Sequence, residues 1–186
     1  MAIKATIFKV QIQLADMDRH VYADDLSATI ARHPSETDER MMVRILALAM
    51  GWPQDQSAGT LAFAKDMWDP DEPALWHKNY VGEIVHWVEV GQPDDKRLMK
   101  ACGRSERVTL WAFQSSTDVW WPTVVNKLAR ADKLTVWQLP NDESMELSKL
   151  AARSMQLQVT VQDGTVWVGN GATSVELHPH RLMGAN

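Results

Sequence analysis

The chain has 186 residues, 45% hydrophobic and 23% charged, with nine tryptophans, a net charge of −5 and a pI near 5.6. That length carries one domain, expected over 1–186, with a core of its own, and the acidic balance excludes a surface coated in basic patches for nucleic acid. No stretch approaches the roughly 20 apolar residues of a membrane span, Lys4 and Lys9 interrupt the N-terminus where a signal peptide would be apolar, and the lone Cys102 cannot form an internal disulfide, so a reducing cytoplasm is expected.

Residues 4–14 alternate, with Phe8, Val10, Ile12 and Leu14 against Lys9, Gln11 and Gln13, as in a half-buried strand. Residues 20–32 read as its hairpin partner. "HPSETDERMMVRILALAMGW" is a helix with Ser35 as N-cap, an apolar stripe of Met42, Ile45, Leu46 and Ala49, and Gly51 as stop. Glu39, three residues before Met42, falls on or beside the buried face, unlike Glu36. A short strand is expected at 60–67, then a hairpin of 72–78 and 83–90. Pro93 and Asp94 open a helix that stops at Gly103. "VTLWAF" (108–113) and "LTVWQL" (134–139) are buried strands. Helices are expected near 117–130, with Pro122 in the first turn, and near 142–152. From "QLQVTV" onward the chain reads as a β-meander turning at Asp163-Gly164. The strand-helix alternation implies an α/β mixed sheet flanked by helices, and the terminal strands are expected to pair as an added antiparallel layer.

Glu89 stands inside the apolar run Val85–Val90, where a carboxylate is costly without a partner. If the hairpin turns at 79–82, Glu72 lies opposite Glu89, and a one-residue slip puts Asp71 there instead. Opposed residues have Cβ atoms about 5 Å apart, so two carboxylates there call for a proton or a cation. With Glu39 as a third acid, Glu39, Asp71, Glu72 and Glu89 form a candidate site for Mg²⁺ or Mn²⁺. The alternative is Glu89 salt-bridged to a core arginine such as Arg40 or Arg44, with Asp69, Asp71 and Glu72 in a solvated loop. His86 reads as a packed side chain, Trp120-Trp121 as core, and His178 and His180 lack the neighbours of a zinc site.

An acid on the first helix, an Asp near one strand, a Glu on the next, then a helix and a parallel strand resemble the PD-(D/E)xK nuclease superfamily. More narrowly, "IARHPSETDERMMVRILALA", "DEPALW", "GEIVHWVEVGQPDDKRLMKAC" and "MQLQVTVQDGTVW" together resemble the YaeQ family of bacterial proteins. The resemblance spans the whole chain and implies a restriction-endonuclease-like core with extra β-structure; it supplies no activity. The nuclease pattern places a lysine two residues after its glutamate, and here that position is Gly91. Asp71, Glu89, Gln92 as a water-orienting group and Lys96 as a migrated cation are the candidate catalytic residues, with Arg97 and Lys100 beside them.

Two function classes stay open: a metal-dependent phosphodiesterase acting on nucleic acid, and a non-catalytic module that keeps the fold to bind nucleic acid or a protein. Nucleic acid would be held weakly along a narrow strip of Lys78, Lys96, Arg97, Lys100 and Arg40, with Trp76 and Trp87 as stacking candidates.

Overall fold

The computed structural model describes residues 4–184; the ends of the expected span, 1–3 and 185–186, lie outside the described residues. The chain runs β1 (Thr6–Asp16), β2 (Val21–Arg32), α1 (Asp38–Met50), β3 (Leu61–Phe63), β4 (Leu75–Lys78) and β5 (Ile84–Val90). It continues through α2 (Asp95–Arg104), β6 (Ser105–Ala112), α3 (Thr117–Val124), β7 (Leu134–Gln138) and α4 (Asn141–Ser148). It ends with β8 (Ser154–Gln162), β9 (Thr165–Gly169), β10 (Ser174–Leu177) and β11 (His180–Met183). The expected alternation is present, with β11 added at the end. The described residues form two compact units: one runs to residue 54 and takes in 142–178, and the other holds 55–141 and resumes at 179.

The first unit is a five-stranded sheet ordered β10-β9-β8-β1-β2. The period of two decides its faces. Phe8, Val10, Ile12 and Leu14 are buried, as are Met155, Leu157, Val159 and Val161 on β8. The terminal strands pair as expected, but β1 and β8 run parallel, so the sheet is mixed. The chain leaves α4 at the end of the sheet where β1 begins, with Lys9 N–H donating to Arg153 C=O. α1 is capped by Thr37, whose side chain accepts the Arg40 N–H, and not by Ser35. Nine consecutive residues, Met41–Ala49, are buried, more than the stripe the 3.6 period suggests.

The second unit is a six-stranded sheet ordered β11-β7-β6-β5-β4-β3, with β5, β6 and β7 parallel and the outer strands antiparallel. Its core joins Trp87, Val108, Leu110, Leu134 and Val136 of the sheet to Leu98, Ala101 and Cys102 of α2 and to Val124 and Leu128. α2 runs through Gly103 and passes directly into β6. Pro122 sits inside α3, not in its first turn, and a 3-10 turn at Val125–Leu128 follows; without an N–H, proline ends the helical ladder early. The strand expected at 60–67 is three residues long. It gives way to a 3-10 turn at Asp66–Trp68, because Asp66 takes a left-handed backbone with φ 52°.

Candidate functional site

Glu89 lies on β5 among buried residues and is 3% exposed. It shares a face of the strand with Trp87, two residues earlier, whose indole N–H donates to its Oε1 at 2.8 Å. Arg97, on the first turns of α2, donates from Nε to the same oxygen at 2.8 Å. The other guanidinium nitrogens of Arg97 donate to the carbonyls of Pro70 and Glu72. Glu89 therefore has the arginine partner its burial demands, but it is Arg97. Arg40 and Arg44 are engaged by Glu36.

The hairpin register differs from the expected one. Leu75 faces Val88 and Trp76 faces Trp87, after a bulge between His77 and Lys78. Continued one step, this register brings Ala74 level with Glu89, whereas Asp71 and Glu72 precede the strand. The side chain of Asn79 makes the shift: it accepts the N–H groups of Val81 and Glu83 and donates to the Glu83 carboxylate, tightening the turn.

The other candidate acids have partners of their own. Asp71 pairs with Lys100 at 2.7 Å, and that hydrogen bond and charge hold its carboxyl below the ordinary value. Glu72 accepts the Lys65 N–H at 2.8 Å, with Lys65 Nζ 3.6 Å away. Glu39 belongs to the first unit, where Ser144 of α4 donates to its Oε1 at 2.5 Å. The buried acid at the start of α1 is Glu36, because the cap at Thr37 leaves it just outside the helix, folded back onto Arg40 and Arg44. Among the described residues no group of three or more His, Cys, Asp or Glu side chains is placed to hold a metal ion. The four acids expected to hold Mg²⁺ or Mn²⁺ are each engaged by a different partner and do not form one such group.

The acid that lies near Glu89 is Asp66, which sequence reasoning did not single out. It is 7% exposed, and its charge, together with burial, works against ionisation of Glu89. Burial is the largest influence and raises the Glu89 carboxyl above its ordinary value, although Arg97 and the Trp87 indole pull the other way. Gly91 has φ 114°, a backbone that disfavours any side chain, so the position two residues after Glu89 is a poor place for lysine. Gln92 is committed elsewhere: its amide donates to Ser116 Oγ at 2.9 Å and accepts from the same hydroxyl. His86 is packed as expected, with Thr109 Oγ1 at 2.8 Å and Arg107 at 3.0 Å from its ring nitrogens.

The cations collect on α2. A cleft of ≈ 360 Å³ is lined by Trp87, Lys96, Arg97, Lys100 and Arg104 together with Asp71 and Asp94. Arg104 lies over the Trp87 ring at 5.3 Å. Lys96 and Lys100 are exposed and share a helix face at i,i+4 spacing. Lys78 instead sits 3.6 Å over the Trp76 ring, and Arg40 is in the first unit. His178 has a partner set that its spacing to His180 did not suggest: Glu143 at 2.8 Å and Glu176 at 3.0 Å.

Among the described residues no helix is long and apolar enough to cross a membrane. Comparison with known proteins places this architecture. The chain is 39% identical over 178 residues to the uncharacterized YaeQ protein of Salmonella typhi, covering 95% of each. It is 38% identical over 179 residues to that of Escherichia coli K12, covering 96% of each. The crystal structure of the YaeQ protein from Xanthomonas axonopodis pv. citri superimposes with a TM-score of 0.90 at 37% identity, over 98% of this chain and 100% of that one. The YaeQ protein from Pseudomonas syringae gives 0.89 at 38% identity, over 97% of each chain. The sequence model of the YaeQ protein family matches residues 1–179, and the chain belongs to that family.

Proposed function

We propose that the second unit is a non-catalytic binding module for the phosphate backbone of a nucleic acid, held along α2. One observation carries this reading: in a chain of net charge −5, four cations, Lys96, Arg97, Lys100 and Arg104, line one cleft against two carboxylates. Phosphate oxygens suit clustered guanidinium and ammonium donors. Arg97 spends its guanidinium on Glu89 and two carbonyls, so the ligand takes Lys96 together with Lys100 and Arg104, which exchange exposed contacts with Asp71 for phosphate oxygens. About three phosphate contacts give a salt slope near −3 on duplex DNA and weak affinity. Fluorescence anisotropy of labelled single- and double-stranded DNA and RNA, from low to moderate salt, tests this. Lys96→Ala and Lys100→Ala should each reduce the slope by about 1 without changing sequence preference. No binding at low salt, or a slope of about −6 or steeper, overturns it.

A second reading, a metal-dependent phosphodiesterase, has one observation in its favour: Asp66 and Glu89 are buried near enough for their charges to interact, a pairing that a cation would relieve. Titration with Mn²⁺ and cleavage assays on the same nucleic acids test it. Absence of both heat and cleavage leaves the non-catalytic reading standing. Activity lost in Glu89→Gln would replace it.

A further inference from the structure

We propose that the open face of the first unit's sheet is a binding platform for an uncharged oligosaccharide. The inference is independent of the phosphate reading, which concerns the second unit. Strand alternation leaves one face of the sheet uncovered, and register aligns its residues in rows. One row runs Tyr22–Ala15–Thr160–Trp167–Glu176 across β2, β1, β8, β9 and β10. Two aromatic rings thus flank two small residues. With strands about 4.8 Å apart, the rings stand about 14 Å from each other. Tyr22 is 60% exposed and Trp167 is partly exposed, so neither is consumed by the core. The next row carries Gln13, Gln158, Gly169 and Ser174, and the one after it Ser27, Gln11 and Gln156. Gln13, Gln156, Gln158 and Thr160 make no side-chain hydrogen bond among the described residues. Two depressions, ≈ 470 and ≈ 280 Å³, open on this face, one beside Gln11 and Gln156 and one beside Gln158, Thr160 and Trp167.

Charge selects the occupant. Among the described residues aligned on this face, Lys9 is the one cation, set against Glu176 and against Asp25 in the β2 bulge, which already accepts from Gln11 and Ser27. A polyanion needs several cations to displace its counterions, so nucleic acid is disfavoured. A second copy of the chain needs a more apolar patch than rows of amides and hydroxyls provide. A sugar ring offers both halves of the match: C–H faces for indole and phenol rings, and hydroxyls that donate and accept toward free amides.

The full chain is titrated calorimetrically with cellohexaose, maltohexaose and chitohexaose, and in parallel with oligo(dT), while sedimentation reports self-association. At least one of the three sugars should bind, with an affinity indifferent to salt up to about 0.5 M, since no ion pair forms. Trp167→Ala should weaken it about tenfold or more and Trp167→Phe much less. Thr160→Trp, which fills the floor between the rings without emptying the core, should abolish it while leaving the unfolding midpoint unchanged. The proposal is overturned if none of the sugars binds, or if binding survives both Trp167→Ala and Thr160→Trp. It is equally overturned if those variants instead remove oligo(dT) binding or self-association.

Discussion

Each unit buries one glutamate and neutralises it with arginine, and the two solutions differ. Glu36 faces two guanidiniums, Arg40 at 2.8 Å and Arg44 at 2.8 and 3.1 Å. The two arginines lie one turn apart on one face of α1, and Glu36, just before the helix, folds back to reach both. Glu89 faces one guanidinium, Arg97, plus an uncharged indole, and a second acid, Asp66, lies near. Two guanidiniums meet Glu36, whereas one guanidinium and one indole meet Glu89. The first cluster is complete and ties α1 to the segment before it. At the second, burial outweighs Arg97 and the indole and raises the Glu89 carboxyl above its ordinary value, with Asp66 adding to the rise.

The largest expected effect is at the complete cluster. Glu36→Ala leaves Arg44, 2% exposed, without its carboxylate. Stability in urea should fall by about 3–5 kcal/mol, the usual cost of breaking a buried pair from one side. A loss under about 1 kcal/mol would mean that Arg40 and Arg44 find water or another acceptor, and the two clusters would then be alike.

Arg97→Gln comes next. Its side chain is 29% exposed, so the loss is discounted for solvent screening to about 1–3 kcal/mol at neutral pH. The deficit should shrink in acid, where Glu89 takes up a proton and no longer needs a counter-charge. A deficit that stays constant with pH would move the importance of Arg97 to its carbonyl contacts with Pro70 and Glu72.

Glu89→Gln sharpens the comparison through pH. The folded carboxyl titrates above its ordinary value of 4.5, so the native state binds the proton more tightly than the unfolded chain does. That contribution to stability is fully present below 4.5 and is lost as pH rises through the raised folded value. Chemical denaturation of wild type across this window should therefore show a downward slope that Glu89→Gln removes. An equal slope in the variant would assign the titration elsewhere.

The smallest effect belongs to an exposed cluster. His178 is raised above its ordinary 6.5 chiefly by its hydrogen bond to Glu143, with Glu176 adding to it. The contribution is present below 6.5 and fades as pH rises through the raised value. NMR titration of the His178 ring should show the shift directly and Glu143→Gln should reduce it, while the unfolding midpoint scarcely moves because solvent screens the group.

The order of elements was legible because each leaves a period: two in β1 and β8, 3.6 in α1, continuous apolar runs in β6 and β7. Glu89 was legible as an anomaly, since a carboxylate inside "IVHWVEV" has to be satisfied by something. Its partner was within reach too, because Arg97 was among the cations noted on the following helix. The acids around it were less legible. Choosing Ser35 over Thr37 as the cap exchanged the roles of Glu36 and Glu39, two residues that differ by less than one turn. Setting Lys78 opposite Glu83 placed Glu72 beside Glu89; the turn at Asn79 moves the register by one residue and the bulge at His77/Lys78 by another, which leaves both acids short of the strand.

The sequence by itself determined which residues are apolar, where the period changes, and that one acid in β5 needs a counter-charge, because these follow from local geometry and from the cost of burial. Tertiary structure decided which acids meet. Asp66 comes near Glu89 only through a left-handed backbone in a 3-10 turn. β11 exists only because β7 offers it an open edge. The side-by-side rows of glutamines arise from the parallel pairing of β1 with β8, segments more than a hundred residues apart. None of these leaves a trace in neighbouring letters, because register and long-range pairing are settled by the whole sheet and not by any one strand.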